Sequence, residues 1–600
     1  MEFNKKYLVR LREEMAKNGL KSYLVVTGDP HSSEEPAEYF RDERAALCPF
    51  TGDNALLLVL ENEAYLWVDG RFFISAEKEL SGSDIKMMKM DTKGYPDIEE
   101  FLKEENCFPL GTDFSVLPFN FYEKLKEIGK VIDYRFSKLL DKRTPLCDSK
   151  LIDFDKEEFQ KYSAAEKIDL IQEDLIKERL DGYLFSSLDD IAWITNFRGN
   201  DVPFTPLFYS FLFIPAEGDV HLFVNPARVE NELEGFVIHP YEEIAAFLEE
   251  RKTEVIGVDK AIINAELGSI LQNSVDMLSP AMLKKAIKNE VEIRNIIRAQ
   301  EEDGVALLKF IYFLYSNSTK KISELELAKI LTNFRKENPH YLYDSFQPIV
   351  AVNGNAAMMH YAPSEKDFSY VNYDTLELLV DSGGQYFGGT TDTTRTFLLG
   401  EPTDEYIHDY TLTLKSLIAL SKARFIDGTT GKPLDMLARN IMWREGLDYK
   451  CGTGHGVGYL SVVHEGPNSF RYKSKTPYSA KLDLPNVPGN VTTVEPGVYK
   501  EGKYGIRIEN NLLTVEDQVT SDGTFYKFET ITYVPIELKA VDFSLLDKEE
   551  VDWINSYHKS VYKHLSKYVD GNLKKFLRDL TLPVLKDVKK ILLVRNPKCE

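Results

Sequence analysis

Hydrophobic positions near the start of the chain follow a helical period and then give way to a short apolar run. Within residues 5–18, four apolar residues recur at helical spacing: Tyr7, Leu8, Leu11 and Met15. Residues 21–27 have the composition of a buried strand, and the same order returns at 164–179 and 182–187. This repetition predicts an internal duplication, that is, two similar α/β domains, although a helix followed by a strand is common in any α/β protein.

The second half of the chain shows a different alternation. Residues 290–316 keep a helical period over a long stretch, and the sequence up to about residue 535 then predicts strands, glycine turns and one helix near 407–424. Residues 545–568 again carry apolar side chains at helical spacing, which predicts a tail helix packed on the preceding domain.

Two polar segments, at 141–148 and 280–289, interrupt these patterns and mark candidate domain boundaries. A chain of 600 residues is too long for a single hydrophobic core. We therefore predict three domains: 1–145 and 146–285, both α/β, and 286–600 with the tail helix.

Composition narrows the class of protein. An apolar content of 43% supports packed interiors, and 96 acidic against 73 basic residues give a net charge of −23. That charge argues against general binding to nucleic acid or an anionic membrane. Five scattered cysteines form no CxxC pair, and no signal-peptide core or 18-residue apolar run is present. These features predict a soluble cytoplasmic protein in a reducing compartment.

Candidate chemistry concentrates in four glycine-containing segments of the second half: 380–392, 452–458, 494–497 and 505–509. They carry four carboxylates and one imidazole, namely Asp381, Asp392, His455, Glu495 and Glu509. Such a set suits a pair of hard divalent cations with one solvent oxygen between them, which is a hydrolytic arrangement.

The predicted strands explain how distant residues of this set meet. Asp381 follows the strand 376–380, and Asp392 lies across a glycine turn, so antiparallel pairing would bring both carboxylates to one place. Alternation along the strand that ends at Glu509 puts Arg507 on the same face, where it can balance nearby carboxylates. Glycines on both sides of His455 permit close approach of the main chain.

These segments, together with 190–201 and 464–467, resemble the pita-bread metallopeptidases and, within them, the three-domain cytosolic aminopeptidase P (Xaa-Pro aminopeptidase) family. The resemblance implies an α/β protein with two creatinase-like N-terminal domains and a C-terminal α+β pita-bread catalytic domain. It implies a metallo-exopeptidase that removes the first residue from peptides with proline second. It also implies a cytoplasmic homodimer.

The resemblance further implies two manganese ions per chain, with cobalt, zinc or iron as chemically acceptable alternatives. Asp381 would chelate one ion, Asp392 and Glu509 would bridge both, and His455 and Glu495 would complete the second.

Catalytic roles are implied for Glu495, which would handle the proton of the bridging water, and for His360 and His464, which would contact substrate. One position departs from the family pattern, because Cys451 stands where the family usually has a further histidine. A cysteine is smaller and a weak donor, so the hydrogen bond that the histidine makes near the substrate is the feature at issue. The metal ligands remain and activity is expected to survive, with either an altered substrate preference or no consequence as the open alternatives.

Two alternative functions stay open. A prolidase would use the same metals on Xaa-Pro dipeptides, although prolidases of this fold usually have two domains. A non-catalytic pita-bread protein would bind protein partners without the metal ligands, and the complete ligand set argues against it.

Overall fold

The computed structural model describes residues 2–52, 54–146, 150–230, 235–317, 321–365, 367–474 and 477–584. Contacts divide the chain into two units, Met1–Lys285 and Ala286–Glu600. In the described part of the chain, no helix combines the length and apolar content that crossing a membrane requires. The division at 145 remains a prediction.

The first unit alternates strands and helices. Its strands are β1 (Ser22–Val26), β2 (Leu56–Leu60), β3 (Ala64–Val68), β4 (Ile85–Lys89), β5 (Leu110–Thr112), β6 (Val131–Asp133), β7 (Ile152–Asp153), β8 (Gly182–Phe185), β9 (Phe197–Arg198), β10 (Phe211–Pro215), β11 (Val220–Phe223), β12 (Phe236–His239), β13 (Val255–Val258) and β14 (Asn273–Asp276). Its helices are α1 (Lys5–Lys17), α2 (Glu38–Leu47), α3 (Phe73–Glu79), α4 (Ile98–Glu104), α5 (Phe119–Ile128), α6 (Ala164–Lys177), α7 (Leu188–Thr195), α8 (Ile244–Arg251), α9 (Ala265–Gly268) and α10 (Pro280–Lys285).

The predicted duplication is confirmed by the sheets. One sheet has the order β4-β3-β2-β1-β5-β6 and the other β12-β11-β10-β8-β13-β14. Parallel and antiparallel pairings occur at equivalent places in both. Each half therefore repeats the same chain path, with α1 before β1 and α6 before β8.

The two halves share one hydrophobic core. A single cluster of buried residues takes Leu24 and Leu125 from the first half and Leu184, Phe213 and Leu248 from the second. The apolar faces of the two halves thus cover one another.

The second unit contains the predicted metal-binding segments. Its strands are β15 (Ile322–Ser323), β16 (Tyr341–Asp344), β17 (Ile349–Val352), β18 (Tyr370–Val371), β19 (Glu377–Ser382), β20 (Gly384–Tyr386), β21 (Gly389–Thr390), β22 (Thr393–Leu398), β23 (Arg424–Ile426), β24 (Gly454–Gly456), β25 (Glu465–Phe470), β26 (Val491–Val494), β27 (Gly497–Lys500), β28 (Tyr504–Arg507), β29 (Asn510–Thr520) and β30 (Gly523–Thr530). Its helices are α11 (Glu290–Asn317), α12 (Glu324–Lys336), α13 (Asp404–Ser421), α14 (Gly431–Trp443), α15 (Pro477–Lys481), α16 (Lys548–Leu565) and α17 (Gly571–Leu580).

Two sheets of this unit carry the site. One is six-stranded, with the order β23-β30-β29-β26-β24-β25, and the other is three-stranded, with the order β17-β19-β22. The main core of the unit lies between these sheets and the long helices, with Leu308, Leu414, Val494 and Ile554 among its buried members. The sheets therefore form a rigid base for the side chains that project from them.

The predicted helices at 290–316, 407–424 and 545–568 are confirmed as α11, α13 and α16. The prediction of only one helix between residue 316 and residue 535 is wrong, because α12, α14 and the short α15 also form there. Asp381 does not end its strand as predicted, since it lies inside β19 and is paired on both sides, with Ile349 and with Thr394.

Candidate metal centre

Asp392, His455 and Glu509 converge from distant parts of the chain, and one donor atom of each lies within 4.8 Å of the others. Asp392 immediately precedes β22, His455 is the middle residue of β24, and Glu509 lies between β28 and β29. Pairing of β24 and β29 with opposite edges of β26 brings two of these segments together. Three of the five predicted ligands therefore share one small volume.

Glycine next to His455 is required by close packing of the main chain. A Cβ atom at Gly454 would fall 1.9 Å from the carbonyl oxygen of Thr493, and one at Gly456 would fall 2.2 Å from that of Glu465. The approach predicted from the glycine spacing is thus confirmed, because no other residue fits on either side of the imidazole.

Asp381 reaches the same region from the neighbouring sheet, where it is the partner of Thr394 across the β19–β22 ladder. Its Oδ2 accepts a hydrogen bond of 2.5 Å from Nη2 of Arg507. Its Oδ1 is buried and finds no hydrogen-bond partner among the described residues. A buried carboxylate oxygen without a donor is costly, and a cation would satisfy it.

Glu495 follows β26 and faces the imidazole. Its Oε1 lies 3.4 Å from Nε2 of His455, and Oδ2 of Asp392 lies 3.5 Å from the same nitrogen. The main-chain N–H of Glu495 donates to the carbonyl of Thr453 at 2.7 Å, which fixes the residue beside β24.

Crowding changes the acidity of these carboxyl groups. Burial raises the pKa of Asp392 well above its ordinary value, and Asp381 and Glu495 raise it further. Burial also raises the pKa of Glu509, with Asp392 as the next cause, and it raises the pKa of Glu495. The site is therefore short of positive charge at neutral pH.

The residues present fit a pair of divalent metal ions. Four carboxylates and one imidazole form an oxygen-rich donor set, which hard divalent cations prefer. The buried Oδ1 of Asp381 and the raised pKa values of Asp392 and Glu509 are features that bound cations would relieve. The five-residue ligand assignment remains a prediction that this geometry supports.

Arg507 and Thr394 hold the carboxylates in place. The Nε of Arg507 donates to Oγ1 of Thr394 at 3.1 Å, and that hydroxyl donates to Oε2 of Glu509 at 2.8 Å. Nη1 of Arg507 also donates to the hydroxyl of Tyr499 at 2.8 Å. The predicted placement of Arg507 near the carboxylates is confirmed.

Sequence reasoning missed Thr394 and a second supporting residue, Asn511. The side-chain amide of Asn511 donates to the carbonyl of Asp392 at 2.6 Å. The available signal was the run of threonines around Asp392, because fully buried β22 carries polar side chains where apolar ones are usual.

The two predicted catalytic histidines differ in their surroundings. The exposed His464 has its ring centroid 4.2 Å from that of His455, at an interplanar angle of 83°. His360 is half-buried and lies just beyond the single turn of 3₁₀-helix at Asn353–Ala357, which packs against β28. Their contacts with substrate remain predictions.

Cys451, which departs from the family pattern, is half-buried near the same site. Burial, with the charge of Glu495 as the next cause, raises the pKa of its thiol to about 12. The thiol is therefore neutral at physiological pH.

Comparisons with known proteins follow the same division of the chain. Residues 294–516 match the model of Metallopeptidase family M24, and residues 524–584 match the C-terminal region of peptidase M24. The Creatinase/Prolidase N-terminal domain matches twice, at 8–142 and at 142–292, in agreement with the duplicated sheets.

Among curated proteins, the chain is similar to Xaa-Pro aminopeptidase app-1 of Caenorhabditis elegans, with 34% identity over 94% of this chain and 95% of the relative. It is also similar to Xaa-Pro aminopeptidase 1 of Dictyostelium discoideum, with 32% identity over 93% of this chain and 92% of the relative.

Among solved structures, the chain is similar to an X-prolyl aminopeptidase of C. elegans, described as a cytosolic enzyme with a di-nuclear active site. The TM-score is 0.89 and the identity 31%, over 96% of this chain and 99% of that one. A Bacillus anthracis Xaa-Pro dipeptidase shares the fold alone, with a TM-score of 0.50 and 24% identity over 62% of this chain and 99% of its own. The similarity to aminopeptidases extends over nearly the full length of this chain and of its relatives. Together with the duplicated N-terminal sheets and the converging acidic residues, it shows that this chain belongs to the Xaa-Pro aminopeptidase family of M24 metallopeptidases.

Proposed function

We propose that the protein removes the N-terminal residue from peptides that have proline in the second position, as a metal-dependent exopeptidase. The observation that carries the proposal is the convergence of Asp392, His455 and Glu509, with Asp381 and Glu495 beside them. The identity of the bond that is cleaved is inferred from the membership of this chain in the Xaa-Pro aminopeptidase family.

A Xaa-Pro bond calls for dedicated chemistry. It is a tertiary amide whose nitrogen has no proton to donate and whose geometry is restricted. A peptidase that recognises the N–H of the cleaved bond cannot use this substrate. As in any amide hydrolysis, the leaving nitrogen must also gain a proton, which a carrier on the enzyme passes on from the attacking water.

Two divalent cations, when bound, supply Lewis-acid stabilisation of negative charge and a water molecule of lowered pKa. Asp381, Asp392, His455, Glu495 and Glu509 would hold them. Glu495 acts as the proton carrier, because a carboxylate that faces the imidazole of His455 at the centre can accept a proton from the attacking water and pass it on.

His464 and His360 would bind the peptide around the cleaved bond. The exposed imidazole of His464, next to the ring of His455, is placed to hydrogen-bond the carbonyl oxygen or the leaving nitrogen. His360 would contact substrate from a different segment of the same unit. Arg507 keeps the carboxylate of Asp381 oriented through its 2.5 Å hydrogen bond.

Three finer features belong to the same proposal. Manganese is the proposed metal, because oxygen-rich ligation favours it over softer ions. The cytoplasm is the proposed location, in keeping with the description of the C. elegans structure as cytosolic. A homodimer is the proposed assembly, and sedimentation of the purified protein would test it against a monomer.

The decisive experiment is hydrolysis of Arg-Pro-Pro by the purified protein, with and without added Mn²⁺, together with metal analysis. We expect release of arginine, two metal ions per chain, and no cleavage of Arg-Ala-Ala. Absence of proline-dependent cleavage under both conditions would contradict the proposal. Cleavage of Arg-Pro without cleavage of Arg-Pro-Pro would identify a prolidase, and a protein that binds no metal would fit a non-catalytic role.

A further inference from the structure

Arg439 is a fully buried arginine outside the candidate donor set. It lies in α14 with no exposed surface, and so does Asp435 one turn earlier. A buried guanidinium is costly unless all its N–H groups are bonded, so its partners indicate what it holds.

All five N–H donors of Arg439 are used. Two donate to the carboxylate of Asp435, from Nε at 2.9 Å and from Nη2 at 3.2 Å. Nη1 donates to Oδ1 of Asp448 at 2.7 Å and to the carbonyl of Tyr449 at 3.0 Å, and Nη2 donates to the carbonyl of Cys451 at 3.0 Å. One side chain therefore holds the carboxylate of Asp448 and the main-chain carbonyls of Tyr449 and Cys451.

The same network reaches Thr453, two residues before His455. The hydroxyl of Thr453 is buried, donates to Asp435 and lies 3.4 Å from Nη2 of Arg439. The aromatic rings of Tyr449 and Tyr472 cover the guanidinium, with centroids 4.0 and 4.6 Å away. The guanidinium itself is therefore shielded from water.

Thr453 connects the network to both sides of the metal centre. Its N–H donates to the carbonyl of Phe470 at 2.8 Å, and its carbonyl accepts from the N–H of Glu495 at 2.7 Å. Because β24 begins at the next residue, a shift of Thr453 would move both the imidazole of His455 and the carboxylate of Glu495.

We propose that Arg439 is a positioning residue for the metal centre, which acts through Thr453 to set the spacing between His455 and Glu495. The inference rests on the proposed function, since it concerns the affinity of the site for its ions. Groups that orient metal ligands typically contribute about 10- to 100-fold to metal affinity.

Two substitutions separate this role from a general contribution to folding. Arg439→Lys keeps the charge but has three donors in place of five, and Thr453→Val keeps the shape but removes the hydroxyl that reaches Asp435. We expect Mn²⁺ titration of the metal-free protein by calorimetry to show affinity lowered about 10- to 100-fold in Arg439→Lys and about 10-fold in Thr453→Val. Excess Mn²⁺ should restore kcat in both.

Arg228→Lys in the first unit is the matched control. Arg228 is also a buried arginine that binds one carboxylate with two hydrogen bonds, of 2.5 and 2.6 Å, to Asp201. This variant should lower the melting temperature and leave Mn²⁺ affinity within about twofold of wild type.

The inference is overturned if folded Arg439→Lys binds Mn²⁺ as tightly as wild type, or if Arg228→Lys weakens binding to the same extent. If Arg439→Lys fails to fold, unchanged Mn²⁺ affinity in Thr453→Val overturns it. A wild-type protein that binds no Mn²⁺ contradicts the proposed function itself, which keeps the two failures distinct.

Discussion

Two buried polar clusters of the second unit, the Arg335 cluster and the metal centre, each include a residue of β19. They differ in how their charge is balanced. Next to Ser382, Arg335 is fully buried and donates to Asp303 at 2.7 Å, to Asp344 at 3.2 Å and to the hydroxyl of Ser382 at 2.9 Å. One residue earlier in β19, Asp381 faces the carboxylates of the metal centre.

The Arg335 cluster contains its own counter-charge. Asp303 and Asp344 hold the pKa of Arg335 above its ordinary value, and the Tyr386 hydroxyl donates to Asp303 at 2.9 Å. In the metal centre, by contrast, burial and mutual repulsion raise the pKa values of Asp392 and Glu509. The charges of the Arg335 cluster are balanced by the protein alone. The metal centre gains its full stability only when cations bind.

The largest expected effect is on catalysis. Asp392→Asn removes a charged donor from the centre, so kcat for Arg-Pro-Pro should fall by about 1,000-fold or more, which corresponds to about 4 kcal/mol. Steady-state kinetics at saturating Mn²⁺ measure this. Glu405→Gln, a change at a half-exposed carboxylate of the same unit that pairs with Lys500 and Lys503, should leave kcat unchanged. Near-normal activity of Asp392→Asn would remove this residue from the centre.

A substitution in the Arg335 cluster should change the stability of the protein. Asp303→Asn leaves Arg335 short of one negative charge in a buried site, so the free energy of unfolding should fall by about 3–5 kcal/mol. Urea unfolding of the metal-free protein measures this loss. A change below about 1 kcal/mol would mean that Asp344 and the neighbouring hydroxyls balance Arg335 without Asp303.

In the metal-free centre, removing a carboxylate should raise the free energy of unfolding instead of lowering it. There the folded state must either protonate Asp392 or bear its repulsion, so Asp392→Asn should raise the free energy of unfolding by about 1–3 kcal/mol. The same urea experiment, run after chelation, compares this variant with Asp303→Asn. A loss of stability in both variants would contradict the contrast between the clusters.

The smallest effect concerns the other carboxyl group of β19, Glu377, which is fully buried and has no ion-pair partner among the described residues. Burial raises its pKa from 4.5 to about 8. Between these values the folded protein keeps a proton that the unfolded chain releases, so unfolding free energy should fall as pH rises, by about 1.4 kcal/mol per pH unit. Glu377→Gln should flatten this slope, measured by urea unfolding at pH 6 and pH 7. An unchanged slope would place the titration elsewhere.

Charge burial also explains which helices the sequence could predict. The pattern in α16 is readable because its inward face is largely apolar at helical spacing. Helix α11 is readable because it is long enough for apolar positions to recur many times, although Glu301, Glu302 and Asp303 are also buried in it. Helix α12 turns Arg335 and Glu324 inwards, and α14 turns Asp435 and Arg439 inwards, so charged residues stand where a periodic pattern requires apolar ones. Tertiary ion pairs that compensate for this burial are invisible in a single sequence.

The candidate site was more readable than its surroundings. Carboxylates at strand ends and a histidine between glycines stand out locally, as do the alternating Arg507 and Glu509. The run of threonines around Asp392 marks the region, but neither the role of Thr394 nor that of Asn511 can be assigned from it. Both roles depend on register across β19, β22 and β29.

The common core of the two N-terminal halves has a consequence for any attempt to dissect the molecule. Leu24 and Leu125 pack in one cluster with Leu184 and Phe213. Cutting the chain between the copies and separating the fragments would therefore expose a hydrophobic surface to water on each fragment. The first half also holds a core of its own, with Leu11, Leu57 and Phe136 among its buried members, so an isolated fragment would keep part of its packing and lose the part that its neighbour completes.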